Sequence, residues 1–145
     1  MRPITVSIDI AAPAAAVWAD VADLASHAAW MADAESIEFL SDRRAGVGTK
    51  MKVATRVGPL RTSDIIEITV WEPQNMIGVA HRGLVGGSGA IALTTIGEGT
   101  RFTWSETLVF PWWLGGAVAA AAARPVLTAV WKRNLSRLKR RLEKD

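Results

Sequence analysis

Four polar residues fall on strand faces that are otherwise apolar, and they are the ones that could do chemistry: Thr55, Asp64, His81 and Glu106. A carboxyl group on an apolar face has a raised pKa unless it is paired. A neighbouring imidazole would complete an acid–base pair, and His81 with Glu106 would then suit enolisation or dehydration of a carbonyl compound. The structural alternative is that Glu106, near a strand end, is turned by a bulge to solvent or towards Arg82 or Arg124. His81 would then be a rim residue and Asp64 an exposed strand start. His27 follows Ser26 near a helix end and reads as a capping or surface histidine. Two histidines among scattered acids lack metal-ligand spacing, so neither a metal nor another cofactor is expected. With no Cys and no Tyr, thiolate chemistry, disulfides and any mechanism needing a phenol hydroxyl are excluded.

Period-two alternation supplies the elements that carry these residues. Ile4, Val6, Ile8 and Ile10 mark a first strand. Pro13 opens a helix with Val17, Trp18, Val21 and Leu24 on one side, and short helical turns continue to Trp30. A second strand spans Ser36 to Ser41. The third, Thr49 to Val57, puts Met51, Val53, Thr55 and Val57 on one face. The fourth aligns Asp64, Ile66, Ile68 and Val70, leaving Trp71 on the opposite face. The fifth, Met76 to Arg82, aligns Ile77, Val79 and His81, and Gly83 with Gly86-Gly87 makes the next turn. Ala90 to Ile96 is a sixth strand with undistinguished faces, and the seventh aligns Phe102, Trp104, Glu106 and Leu108. In such a meander the ends of strands three, five and seven share one sheet edge with the starts of four and six. Thr55, Asp64, His81 and Glu106 all lie near that edge.

From Pro111 to Asp145 the composition favours one long helix, Ala-rich first and then rich in Leu, Lys, Arg and Glu. Leu127, Trp131, Leu135, Leu138 and Leu142 form an apolar stripe, with Val130 and Asn134 beside it, that must lie against the sheet. The small side chains of its first half leave room for a cavity. The apolar wall of that cavity would comprise Ile66, Ile68, Val79 and Phe102. Of the seven Trp, Trp18 and Trp131 read as core, whereas Trp30, Trp104, Trp112 and Trp113 are candidate ligand-binding rings with core packing as the alternative. Trp112 and Trp113 are expected above the polar cluster. Pro125 should bend or break the helix near Ala121 to Pro125, separating a more mobile segment, Trp112 to Arg124, from a packed one, Val126 to Glu143.

The 145 residues fit a single domain, 1–145, and half of them are hydrophobic. Net charge is +3, and Lys132 to Asp145 holds seven Lys or Arg against two acids. A basic helix with little aromatic interleaving reads as a solvated face; nucleic acid is not the expected partner, and weak contact with an anionic membrane surface is the remaining alternative. The uncharged run from Thr107 to Ala123 is broken by Pro111 and Gly115-Gly116, so no transmembrane segment is expected. The opening residues read as a strand and not as a signal peptide, so a cytoplasmic protein, monomer or homodimer, is expected.

The ordered landmarks ITVSIDIAAPAAAVW, Trp30, G-V-G-T at Gly46 to Thr49, W-E-P at Trp71 to Pro73, G-T-R-F-T-W at Gly99 to Trp104 and the closing LSRLKRRLE cover nearly the whole chain. In them the chain resembles the START-like superfamily, also called SRPBCC or helix-grip, and within it the polyketide cyclase/dehydrase family. The resemblance implies an α+β helix-grip fold: a seven-stranded curved antiparallel sheet wrapped around a long C-terminal helix, with two short helices after strand one. It implies a hydrophobic small molecule, lipid- or polyketide-like, held between sheet and helix. It does not choose between a binding module and a cyclase or dehydratase with His81 and Glu106 as acid and base.

Overall fold

Seven strands form in the computed structural model, which describes residues 3–143. They are β1 (Ile4–Ile10), β2 (Ala34–Phe39), β3 (Lys50–Val57), β4 (Leu60–Glu72), β5 (Met76–Arg82), β6 (Gly86–Ile96) and β7 (Gly99–Val109). Between β1 and β2 lie helix α1 (Ala14–Val21) and a 3₁₀ segment (Leu24–Ala29). After β7 come a 3₁₀ turn (Trp112–Leu114) and helix α2 (Gly116–Glu143). The sheet order is β1-β7-β6-β5-β4-β3-β2, and every neighbouring pair is antiparallel. This is the expected α+β helix-grip architecture, a curved seven-stranded sheet closed by a long C-terminal helix.

Burial of the inner face holds the two layers together. Val17 and Val21 of α1, Trp30, Phe102 of β7, and Leu135 and Leu138 of α2 are almost fully buried. Each such side chain contributes about 1.5–3 kcal/mol relative to exposure. Trp30 meets Phe102 and Trp104 edge-on, and Trp104 stacks on Trp131 at 4.7 Å between ring centres. The far end of α2 is pinned by polar contacts. Arg141 pairs with Asp20, the Lys139 ammonium donates to the Asp9 carbonyl, and Glu143 accepts from the Ala11 N–H.

Several expected boundaries and faces shift. β4 begins at Leu60 and β2 at Ala34, because strand pairing extends past the apolar alternation into polar residues. Gly86 and Gly87 are not turn residues: the turn is confined to residues 83–85, and both glycines pair within β6. An irregularity between Ile68 and Val70 breaks the alternation of β4. It brings Trp71 to the inner face, where its ring meets Trp18 edge-on at 5.2 Å; Trp71 does not cover the outer surface. A bulge adds one residue and so inverts every side chain beyond it.

The C-terminal helix differs most. Pro111 is extended, Gly115 and Gly116 have φ of 101° and 51°, and α2 starts only at Gly116. A left-handed pair forces a corner that a continuous helix cannot contain. Beyond it α2 runs unbroken through Pro125 to Glu143, so the expected break is absent. Pro125 is exposed. Lys144 and Asp145, included in the expected helix, lie outside the described residues.

Candidate functional site

A cavity of about 390 Å³ lies between the sheet and the first half of α2. Its apolar wall includes Met51 and Val53 of β3, Ile66 and Ile68 of β4, Ile77 and Val79 of β5, Ile91 of β6 and Trp104 and Leu108 of β7. Helix α2 closes it with Ala123, Val126, Leu127 and Trp131. That volume falls within the range of about 300–1,000 Å³ typical of small-molecule sites.

The four polar residues singled out by alternation all line this one cavity. The Nε2–H of His81 donates to Oε1 of Glu106 at 2.9 Å, and the two side chains are only 12% and 9% exposed. They reach each other across an intervening strand, over a backbone separation of about 10 Å for two strand spacings. The reason lies in β6. Its inward positions between them are Gly87, opposite His81 and Leu108, and Gly89, opposite Val79 and Glu106. Neither carries a side chain, so the imidazole and carboxylate fill the gap. A Cβ on Gly89 would stand 2.6 Å from Cγ of Glu106, closer than packed carbons approach.

Electrostatics couple this pair to its neighbours. Desolvation works against the imidazolium of His81, but the hydrogen bond and charge of Glu106, with the charge of Asp64, outweigh it and raise its pKa. Asp64 is also raised, by burial, against the opposing effects of His81 and the Leu84 N–H. Its Oδ1 is a buried atom without a hydrogen-bond partner. The bulge reading of Glu106 does not hold: Arg82 instead lies 3.7 Å from Glu67, and Arg124 donates to the Pro3 carbonyl.

A second polar group borders the same cavity. Oδ1 of Asp33 accepts from Nδ2 of Asn134 at 2.7 Å, and Oδ1 of Asn134 accepts from the Ala32 N–H at 3.0 Å. Burial raises the pKa of Asp33, the bonds from Asn134 and Trp131 oppose that, and the charge of Glu106 adds to it. Asp33 escapes alternation because it precedes β2. The fully buried Asn134, one residue from Leu135 on the packed stripe, was the available signal: a polar group on a core face needs a buried partner. His27 is buried rather than a surface cap. Its Nε2–H donates to the Val21 carbonyl at 2.7 Å, and desolvation lowers its pKa. Thr62 joins the lining because β4 starts earlier than expected.

Of the remaining expected ligand residues, Thr55, Asp64, Ile66, Ile68, Val79 and Trp104 line the cavity. Trp30 and Phe102 do not; they are 1% and 0% exposed and belong to the core behind it. Trp112 and Trp113 do not either. The corner at Gly115-Gly116 carries them outward, 87% and 61% exposed, and Phe110 takes the expected place. Among the described residues no group of His, Asp and Glu is arranged to hold a metal ion, and no helix is long and apolar enough to cross a membrane.

A family model described as polyketide cyclase / dehydrase and lipid transport matches residues 1–143. No curated protein sequence matches the chain. Among solved structures, TTHA0849 from Thermus thermophilus is similar at a TM-score of 0.81 and 19% identity, covering 97% of this chain and 96% of that one. A conserved protein from Geobacillus kaustophilus has a TM-score of 0.78 and 20% identity, with 99% and 96% covered. The Zhui aromatase/cyclase from Streptomyces sp. R1128 has a TM-score of 0.68 and 20% identity, with 98% and 91% covered. At these identities the likeness is one of fold.

Proposed function

The chain belongs to the polyketide cyclase / dehydrase and lipid transport family, and on that premise we propose that it binds an apolar, ring-containing small molecule in the cavity between sheet and α2. The observation that carries this reading is the cavity itself: an apolar wall with a few convergent polar groups, the usual composition of a ligand site. Trp104 and Trp131 supply flat apolar surface, while His81, Glu106 and Asp64 supply polar contacts at one side. Native mass spectrometry tests it, on the protein as purified and after incubation with naphthol. The expected result is an adduct of one molecule per chain that Val79→Trp, which fills the cavity, prevents. A protein that retains nothing in either condition would end this reading.

A second reading is favoured by one specific contact, the buried bond between His81 and Glu106. In its neutral form the imidazole can take a proton from carbon beside a ligand carbonyl, and the imidazolium can return one to oxygen. The family contains cyclases and dehydratases by its description, and the aromatase/cyclase from Streptomyces shares the fold. Exchange of α-protons of tetralone in heavy water measures such a step. Acceleration by the protein that falls at least about 100-fold in His81→Gln is expected for an enzyme. Equal exchange with and without protein leaves the binding module alone.

A further inference from the structure

The charge of the cavity lining is at odds with the charge of the chain. The protein carries 17 Lys and Arg, yet among the described residues none lines the cavity, whereas Asp33, Asp64 and Glu106 all do. Within this lining one cation stands beside two of the acids: His81, bonded to Glu106 and close to Asp64. Arg56 and Arg133 neighbour Asp33 only in a separate pocket outside the cavity. His27, the other imidazole, has its Nε2–H committed to the Val21 carbonyl. The polar part of the lining is therefore acceptor-rich and negative on balance.

We infer that the cavity selects apolar molecules that carry hydrogen-bond donors, hydroxyls or protonated amines, and rejects carboxylic acids of the same shape. This rests on the cavity being the ligand site and names the class of ligand that it takes. A hydroxyl or ammonium group can donate to the Asp64 carboxylate, whose buried Oδ1 has no partner in the protein, and such charge-assisted bonds are the strong ones. A ligand carboxylate offers acceptors where the lining already has them. It must lie beside like charges in a poorly hydrated space, or hold Asp33 and Asp64 protonated; both choices weaken binding. The basic surface does not rescue it, because exposed Lys and Arg are screened from the interior by water and salt. On this account a fatty acid is a poor ligand, despite the apolar wall, and a phenol or other hydroxylated ring compound is a good one.

The test compares naphthol, naphthylmethylammonium and naphthoate, which share one apolar body, by isothermal titration calorimetry near neutral pH. Naphthol and the ammonium are expected to bind, and naphthoate roughly 100-fold more weakly, the factor that two like charges about 6 Å apart produce at an effective dielectric of about 20. Asp64→Asn, which keeps the shape of the side chain, should narrow the gap; should that variant not fold, the wild-type comparison decides alone. Naphthoate binding as tightly as naphthol, or an ammonium binding no better than naphthoate, would overturn the inference and leave the cavity as a ligand site. Failure of all three to bind would overturn the ligand site and this inference together.

Discussion

His81 and His27 border the same cavity and are pushed in opposite directions. For His81 the pKa lies above its ordinary 6.5, so its contribution to stability is complete below that pH and is lost as pH rises through the folded value. For His27 the pKa lies below 6.5, so the stability of its buried neutral ring is present above that pH and is lost as pH falls through the folded value. Titration followed by imidazole NMR signals should place the two midpoints on either side of 6.5. Glu106→Gln should move the His81 midpoint down, because desolvation then acts with less opposition. Midpoints on the same side, or a His81 midpoint unmoved by Glu106→Gln, would contradict the assignment of Glu106 as its main partner. The inward direction of both residues was legible from alternation alone, since His81 follows Ile77 and Val79 and Glu106 follows Phe102 and Trp104 at spacings of two. Their meeting across the intervening strand was one of two readings that alternation left open. It depends on Gly87 and Gly89, whose sequence also spells a turn.

β6 decides what the neighbouring strands can do, and a single methyl group tests this. Gly89→Ala should force Glu106 away from His81 and cost about 1–3 kcal/mol, as overpacking in cores does. Thermal unfolding would record the loss, and the same NMR titration would show the His81 midpoint falling. Unchanged stability together with an unchanged midpoint would mean that β6 has slack there. Helix α2 is the other element with an internal division. Its first half, residues 116–130, buries only Ala120, while Trp131, Asn134, Leu135 and Leu138 are buried beyond it. Pro125 provides no N–H for the Ala121 carbonyl, although the helix does not break. Amides of residues 117–124 should therefore exchange with solvent faster than those of residues 127–138, and Pro125→Ala should reduce the difference. Equal protection on both sides in the wild-type chain would mean a uniformly rigid helix. Here the sequence was a partial guide. Propensity identified the helix and its stripe, but it could not show that two left-handed glycines would detach Trp112 and Trp113 from it. Nor could alternation foresee the irregularity in β4, because a bulge is set by pairing across strands and leaves no pattern along one.

At the scale of the molecule, the fold is a sheet and a helix that are packed together at one end and separated by a cavity at the other. The packed end holds Trp131, Leu135 and Leu138 against the inner face of the sheet, with Arg141 and Glu143 fastened to α1 and to the chain just after β1. The open end sets Ala123, Val126 and Leu127 of α2 in one lining with Ile66 and Val79 of the sheet. A molecule filling that space stabilises the folded state by about 2.7 kcal/mol at 100 times its Kd, so naphthol should raise Tm by several degrees. This architecture was legible as an ordered set of short landmarks, because strand order and helix position follow from patterns that the whole chain repeats. The cavity followed only by implication, since empty volume is a property of facing surfaces. The most direct measurement of the central claim is an amide proton–nitrogen NMR titration with naphthol, which reports where the molecule sits. Binding in the cavity predicts shifts concentrated at Val53, Ile66, Val79, Glu106 and Leu127. Shifts confined to the exposed segment from Trp112 to Val118, or no shifts at all, would contradict it.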